Sequence, residues 1–320
     1  MHQLSGELWG PSCVVEFQRD PRLWETTRAS FLYVRDTVQI SRGDGDLIDA
    51  LIFTAALDAN MAPVERDPDL QVAYGGVEVS APDELRRPVS VNAVAQSLRL
   101  PFETVRRRFL RLAREGLCVI GPQGVVVPNS AVTSPAYIAK QRARYDRAAD
   151  FYAALKAVGA LPAVTRPAAP PPAEPLVRAA NRALSEYTLR ACNDLMALTG
   201  DVLSSVVLLE LVVQNIRPMG TPELAGWPRD PERLSRAVRI AGLAAPLRFS
   251  GETIRRHLKV LEAQGFCRRT AGGVVATAPP AVQSRLPRLV DTNHANVQRL
   301  FSRLDQLGVL AAWDAPPTGS

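Results

Sequence analysis

Two short stretches of the chain place a glutamate four residues before an arginine. Glu103 precedes Arg107 in the first stretch, and Glu252 precedes Arg256 in the second. Residues four apart lie on the same side of an α-helix, so each pair would form one polar surface. An arginine can donate two hydrogen bonds to guanine, and a glutamate can accept one from cytosine. The chemistry that these pairs could do is the reading of base edges in a major groove.

Residues that would support catalysis or metal binding form no recognisable pattern. The four cysteines lie far apart without a C-x-x-C motif, and His2, His257 and His294 do not cluster with them. A zinc site or a disulfide framework is therefore not expected. The sequence also lacks a P-loop, a dinucleotide glycine motif and a nucleophile motif, so we expect neither an enzyme nor a bound cofactor.

The two stretches belong to a longer internal repeat. Residues 87–127 align with residues 236–276 without a gap at an offset of 149, and about 15 of the 41 positions are identical. Weaker similarity extends the repeat to about 140 residues, with Asn60 matching Asn215 at an offset of 155. The change of offset predicts an extra loop in the first copy, near residues 67–80.

The repeat predicts two domains in one chain. Residues 161–175 between the copies are rich in proline and lack apolar periodicity, which predicts a linker that can span on the order of 40 Å. We therefore expect a first winged-helix unit at residues 1–160 and a second at residues 176–320. Each unit would open with two apolar-faced helices and end with a long amphipathic helix. Their predicted limits are about 23–39, 47–60 and 137–158 in the first unit, and about 177–198, 202–215 and 288–307 in the second.

The first repeated segment, about 87–128, has the pattern of a winged helix-turn-helix. A short apolar-faced helix is followed by a break at Leu100-Pro101-Phe102, where proline suits a first helical turn. A second helix, from about 102 to 115, would end at Gly116. Residues 117–127 then predict a small hairpin, the wing, with its turn at residues 121–124.

The second repeated segment, about 236–277, shows the same steps. Ser250 is the predicted N-cap of its second helix, Gly265 the C-cap, and Gly272-Gly273 the hairpin turn. The predicted fold class is therefore mainly α, with two tandem winged helix-turn-helix units that each carry a small β-hairpin.

The second helix of each segment separates a buried face from a contact face. At 100° per residue, two apolar triplets lie within about 40° of one direction; they are Val105, Phe109, Leu112 and Ile254, Leu258, Leu261. The predicted DNA contacts are Glu103, Thr104, Arg106, Arg107, Arg108 and Arg111 in the first segment, Ser250, Glu252, Thr253, Arg255, Arg256, His257 and Lys259 in the second, and Gln123, Arg268 and Arg269 in the wings. His257 is interpreted as a polar surface residue or a phosphate contact, and Cys118 and Cys267 as packed core thiols.

Positive charge is concentrated in these segments. Residues 86–128 carry eight arginines against two glutamates, and residues 233–277 carry nine basic residues against two glutamates. The whole chain has a formal charge of +6, so the remainder of the chain is acidic. A basic motif on an acidic body is typical of phosphate neutralisation and predicts double-stranded DNA as the partner.

Two family resemblances can be added. The runs Glu103-Thr104-Val105-Arg106-Arg107 and Glu252-Thr253-Ile254-Arg255-Arg256 resemble the start of the recognition helix in the Crp/Fnr (catabolite activator protein) family. This resemblance implies base contacts by the glutamates and by Arg107 and Arg256, and phosphate contacts by Thr104, Thr253 and Ser250. The whole unit is more similar to MarR-type regulators, in which the outer helices dimerise.

The first hypothesis is a bacterial-type transcription regulator that acts as a covalent pseudo-dimer on two half-sites roughly 34 Å apart. RNA polymerase and a second copy of the chain are further candidate partners. We expect a cytoplasmic, nucleoid-associated protein without a membrane segment, because residues 1–10 lack a secretory signal and the apolar stretch 202–216 is short. The alternatives are a non-catalytic winged-helix assembly protein that binds protein partners, and a ligand-responsive MarR-like regulator.

Overall fold

The computed structural model describes residues 20–161, 171–227 and 230–315. Within these residues the chain is mainly helical, and two separate two-stranded sheets accompany the helices. The predicted class, mainly α with small hairpins, is confirmed at this level. His2, Cys13 and most of the predicted linker lie outside the described residues.

The chain divides into two compact units that alternate along the sequence, and we name each after its hairpin. The first-wing unit comprises the described residues of Tyr33–Ala153, Pro162–Ser205 and Gln298–Ser320. The second-wing unit comprises those of Met1–Leu32, Ala154–Leu161 and Val206–Val297. The sequential domain limits given above stay a prediction.

The first half of the chain holds eight helices and one hairpin within its described residues. In chain order they are α1 (Pro21–Arg42), α2 (Leu47–Asn60), α3 (Ala62–Arg66), α4 (Pro68–Ala73), α5 (Val91–Ser97), α6 (Phe102–Arg114), β1 (Val119–Gly121), β2 (Gly124–Val126), α7 (Asn129–Val132) and α8 (Pro135–Ala157). A short 3₁₀ turn, Asp83–Leu85, precedes α5.

The second half follows the same order. Its described elements are α9 (Val177–Thr199), α10 (Val202–Ile216), α11 (Thr221–Gly226), α12 (Pro231–Leu234), α13 (Ile240–Leu247), α14 (Gly251–Ala263), β3 (Cys267–Thr270), β4 (Gly273–Ala276), α15 (Pro280–Gln283), α16 (Leu286–Gln306) and α17 (Val309–Asp314). The predicted long helices are thus confirmed to within a few residues at each end.

Each unit has its own apolar core. In the first-wing unit the rings of Tyr33 and Phe151 stack with centroids 4.6 Å apart, and Phe301 meets Phe151 edge-on at 5.4 Å. In the second-wing unit Trp24, Ile216 and Val290 are buried in one cluster. These side chains come from the helices whose 3.6-residue periodicity predicted a buried face.

The extra loop predicted near residues 67–80 is wrong in its first half, because helix α4 occupies it. The Asp67 carboxylate accepts hydrogen bonds from the backbone N–H groups of Asp69 and Leu70 and so caps this helix. Pro68 follows at the first helical position, where its missing N–H has no cost. An aspartate followed by proline is itself a helix start signal.

Candidate nucleic-acid interface

Helix α6 has one buried and one exposed face. Val105, Phe109 and Leu112 are at most 3% exposed, as their spacing predicts. The helix ends where Gly116 adopts φ +73° and Leu117 donates its N–H to the carbonyl of Leu112. A glycine takes this left-handed turn without steric cost, so the predicted C-cap is confirmed. Pro101 lies at the N-cap, one position before the first turn where it was expected.

Helix α14 repeats this arrangement in the second-wing unit. Ile254, Leu258 and Leu261 are buried, and Gly265 adopts φ +80° after the helix. The Ser250 hydroxyl accepts a hydrogen bond from the backbone N–H of Thr253 at 3.1 Å, which confirms the predicted N-cap. Each contact helix therefore rests on an apolar stripe that fixes which residues face outward.

A hairpin follows each contact helix and is held by a third segment. Val89 pairs with Val125 in the first-wing unit, and Val238 pairs with Val274 in the second-wing unit, through reciprocal backbone hydrogen bonds of 2.8–3.0 Å. A Cβ on Gly124 or Gly273 would lie 2.5 Å from the carbonyl oxygen of the paired valine. The wing turn thus requires glycine because the backbones approach too closely for a side chain.

One buried asparagine ties each hairpin to an earlier helix, α2 in the first-wing unit and α10 in the second-wing unit. The Asn60 amide donates to the carbonyls of Arg87 at 2.7 Å and Val125 at 3.0 Å, and its oxygen accepts the N–H of Val127 at 2.8 Å. Asn215 makes the matching three contacts, with Arg236 at 2.7 Å, Val274 at 3.4 Å and Ala276 at 2.7 Å. The repeat aligns these two asparagines, but the sequence alone does not show their buried contacts. We call these two groups of contacts the asparagine clamps.

The Glu and Arg pairs predicted as base contacts are exposed. Glu103 accepts hydrogen bonds from Arg106 at 2.7 and 2.8 Å, and its carboxylate lies 3.7 Å from Arg107. The hydrogen bond from Arg106 lowers the pKa of Glu103 below its ordinary value, so this carboxyl is ionised at neutral pH. In α14, Glu252 lies 3.3 Å from Arg255, while Arg256 and Lys259 are exposed beside them.

Two arginines of α6 contact the N-terminal end of α2. Arg108 pairs with Asp49 at 2.9 Å and also with Asp46, and Arg111 pairs with Asp49. Burial alone would raise the pKa of Asp46, but the backbone N–H of Asp49 and the Arg108 guanidinium lower it below its ordinary value. Arg108 therefore faces α2 and not the exposed face of α6. Arg111 also pairs with α2, but its side chain remains exposed.

The expectation that His257 lies on the surface is wrong, because its side chain is 8% exposed. Both His257 and Arg108 lie about 70° from the middle of the buried stripe of their helices. A neighbouring element packs at this edge of the buried stripe. The position of His257 on the helical wheel therefore predicts partial burial. The hydroxyl of Ser250 is also engaged in capping and lies 2.9 Å from that of Thr253. Thr104, at the position matching Thr253, is half-buried.

The two wings differ in chemical character. The first has Val119 and Ile120 exposed by 58% and 43%, with exposed Gln123 at its turn. The second has exposed Arg268 and Arg269 at the matching positions, and Arg269 pairs with Glu262 at 3.1 Å.

Cys118 and Cys267, which match each other in the repeat, are core thiols, as predicted. Cys118 and Cys267 are each 3% exposed, and their thiols donate to the carbonyls of Phe109 and Leu258. Burial raises the pKa of Cys118 to about 11 and that of Cys267 to about 12, so both are protonated at neutral pH. They pack the helix against the start of the wing.

No helix in the described part of the chain is both long and apolar enough to cross a membrane by itself. The bent pair of α9 and α10 reaches that length and apolarity only when its two helices are taken together.

Comparison with known proteins adds one family. Residues 233–279 match the DeoR-like helix-turn-helix domain. No curated protein sequence and no solved structure matches the chain. The match covers α13, α14 and the β3–β4 hairpin, the elements whose exposed face is described above. It supports a helix-turn-helix transcription regulator that binds DNA.

Proposed function

We propose that this protein is a sequence-specific regulator that binds double-stranded DNA through two winged helices in one chain, as a covalent pseudo-dimer. The observation that carries the proposal is the pair of helices α6 and α14, each with a buried apolar stripe and an exposed Glu and Arg surface. Each would place its exposed face in a major groove, as recognition helices of this motif do.

The case for DNA binding rests first on α14. Arg255, Arg256 and Lys259 are exposed within the segment that matches the DeoR-like domain, and Arg268 extends the basic surface onto the wing. This density of cations suits phosphate contacts, while Glu252 and Arg256 have the chemistry for base edges.

The case for two modules rests on shared detail. The asparagine clamps make the same three contacts at matching positions, and the wings have the same turn glycine and the same third-strand pairing. Such agreement in buried contacts supports an internal duplication of one winged-helix unit. We therefore assign base contacts to Glu103 and Arg107 in the first module as well.

Other residues of the two helices are assigned to phosphate contacts rather than base contacts. Thr104, Thr253, Arg106 and Arg255 would hold phosphates, since they flank the base-reading pair. Because the matching residues Arg111 and Val260 differ, the two half-sites should differ in sequence. His257 is left out of the contact set because it is buried.

The proposal is tested by selecting bound sites from random duplex DNA with the full-length protein and then footprinting the protein on the selected duplex. We expect two unequal half-sites about one helical turn apart. Arg107→Ala and Arg256→Ala should each relax base preference in one half-site and weaken binding by about 1 to 3 kcal/mol.

Matched controls remove an exposed arginine elsewhere in the same unit. Arg142 pairs with Glu78 outside the helix-turn-helix, and Arg285 lies beyond the matched domain. Arg142→Ala and Arg285→Ala should leave both half-sites protected. A single half-site that Arg256→Ala leaves unchanged would contradict the two-module proposal.

A second candidate function is a non-catalytic assembly protein that binds a protein through one winged helix. The exposed apolar residues Val119 and Ile120 on the first wing favour it. Salt separates the two candidates, because DNA affinity falls steeply as salt is raised, whereas an apolar protein interface is nearly insensitive to salt.

A further inference from the structure

The first-wing unit contains a cavity of about 510 Å³ between four helices. It is bounded by α2, the C-terminal end of α6, the first half of α8 and the first half of α9. This volume lies in the range of small-molecule sites, about 300 to 1,000 Å³. Phe53, Leu57 and Leu112 give one part of the wall an apolar surface.

The rest of the wall contains buried arginines. Arg86, Arg144 and Arg178 are 5%, 6% and 7% exposed and all line the cavity. Arg144 donates to the hydroxyl of Ser185, and Arg178 donates to two backbone carbonyls. Among the described residues neither of these two guanidiniums forms an ion pair with a carboxylate. Their hydrogen bonds go to neutral oxygens, which leaves their charge without a counter-ion.

Several polar atoms at this wall have no partner. Within the described structure, Nε of Arg144, Nη1 of Arg86 and Oδ1 of Asn181 are buried without a hydrogen bond. A buried charge that lacks an opposite charge and a full set of hydrogen bonds is costly. Arg86 already pairs with Asp83 at 3.2 Å, so an anion in the cavity would supply a counter-ion to Arg144 and Arg178 and a hydrogen-bond partner to Nε of Arg144.

Burial also disfavours the charged form of other arginines at this wall, although Arg86 pairs with Asp83 and Arg182 with Glu65. Burial lowers the pKa of Arg86 and Arg178, and it lowers that of Arg182 on the same wall to about 10. Asp58 also lines the cavity, and burial raises the pKa of its carboxyl to about 6, so it is mostly ionised at neutral pH and offsets part of the charge of Arg144.

We propose that this cavity binds a small organic carboxylate, with its head group at Arg144 and the neighbouring buried arginines and its apolar body against Phe53 and Leu57. A purely inorganic anion would leave the apolar wall unfilled, and a neutral compound would leave Arg144 and Arg178 without a counter-ion. The ligand class is therefore an acid with an aromatic or aliphatic body.

The cavity also contacts the predicted DNA-reading helix. Arg111, Leu112 and Glu115, at the end of α6, line it together with Asp49, the partner of Arg111. A ligand in the cavity would lie beside this end of α6 and so would change how α6 is held, and coupling of this kind acts equally in both directions. This consequence rests on the proposed function, but ligand binding itself does not.

Calorimetric titration of the full-length protein without DNA tests the site. The probes are benzoate, 4-phenylbutyrate and octanoate, each compared with its neutral primary amide. We expect at least one acid to bind at millimolar concentration or below, and its amide to bind about tenfold more weakly or not at all. Arg144→Gln should abolish the preference for the acid, while Arg142→Ala, at an exposed residue outside the cavity lining, should keep it.

A second variant tests the site independently, in case Arg144→Gln does not fold. Ala136 lines the cavity but is exposed, so Ala136→Trp should fold normally and weaken acid binding by narrowing the entrance. Thermal unfolding of both variants without ligand reports on their folding. Absence of binding by all three acids, equal binding of acid and amide, or binding that neither variant changes would overturn the proposal.

The effect on DNA is measured separately, as the affinity for the selected duplex with and without the bound acid. A change in affinity supports the coupling, and an unchanged affinity overturns the coupling while the binding site stands. If the protein binds no DNA, the proposed function fails, and the calorimetric result is unaffected.

Discussion

Helices α6 and α14 begin with nearly the same sequence but have different surroundings. In α6, Arg108 and Arg111 pair with Asp49 of α2 and with its N-cap Asp46, and the adjoining wing exposes valine and isoleucine. In α14, the matching positions are a buried histidine and Val260, and the adjoining wing exposes two arginines. Formal charge therefore overstates the cations that the first module can offer to phosphate. We infer that the second module supplies most of the electrostatic affinity and the first mainly adds sequence preference.

The largest expected effects test what the modules share. Asn60→Ala and Asn215→Ala each leave three buried backbone groups without their partner, so each should lower the free energy of unfolding by on the order of 3 kcal/mol. Because the contact with Val125 is 3.0 Å and that with Val274 is 3.4 Å, Asn60→Ala should cost more. Urea unfolding followed by circular dichroism measures both.

The control for the clamps is Asn92→Ala, which changes an exposed asparagine on α5. It should alter the free energy of unfolding by less than about 0.5 kcal/mol. A loss no larger than this control for either clamp would show that its buried groups find other partners, and the structural equivalence of the modules would be weakened.

The next effect separates the wings. The double variant Arg268→Ala, Arg269→Ala should weaken DNA binding and reduce the slope of log affinity against log salt by about 1 to 2, since each lost phosphate contact contributes about 1. The matching double variant Val119→Ala, Ile120→Ala should leave the slope unchanged. Fluorescence anisotropy over a series of salt concentrations measures both, and equal slopes for the two variants would remove the proposed asymmetry.

A smaller gain is expected from Asp49→Asn, which breaks the ion pairs of Arg108 and Arg111 with that residue. Freed Arg111 should steepen the salt slope by up to about 1, at a cost of about 1 kcal/mol in stability. Asp69→Asn makes the same charge change at an exposed residue of the first-wing unit and is the control. If both variants bind DNA alike, the ion pairs with Asp49 do not limit what α6 offers.

Local patterns in the sequence predicted the local part of this interface. Spacing of three and four residues identified the buried stripes of α6 and α14, and glycine marked the helix ends and wing turns. Ion pairs such as Arg108 with Asp46 join residues 62 positions apart, and no short-range pattern encodes such a pairing. The polarity of His257 predicts an exposed residue, but its position beside the buried stripe of α14 leads to burial. The cavity arginines come from separate helices, so only the fold brings them together.

The smallest effect concerns pH and again separates the modules, because Asp58 matches Val213 in the repeat. Burial raises the pKa of Asp58 to about 6, Glu186 reinforces this shift, and Arg303 and Arg144 oppose it. Between about pH 4 and pH 6 the folded protein therefore holds a proton on Asp58 that the unfolded chain, with a pKa of about 4, has released. This contribution to stability is present at low pH and is lost as the pH rises through about 6.

Asp58→Asn removes that titration, so it should raise the midpoint of thermal unfolding relative to the wild type more at pH 8 than at pH 4.5. Asp58→Val, which installs the residue type of the second copy, should do the same. Asp69→Asn, the same change at an exposed residue of the first-wing unit, is the control. A difference from the wild type that is constant over this range would mean that Asp58 titrates normally, and the matching positions would then not differ in their response to pH.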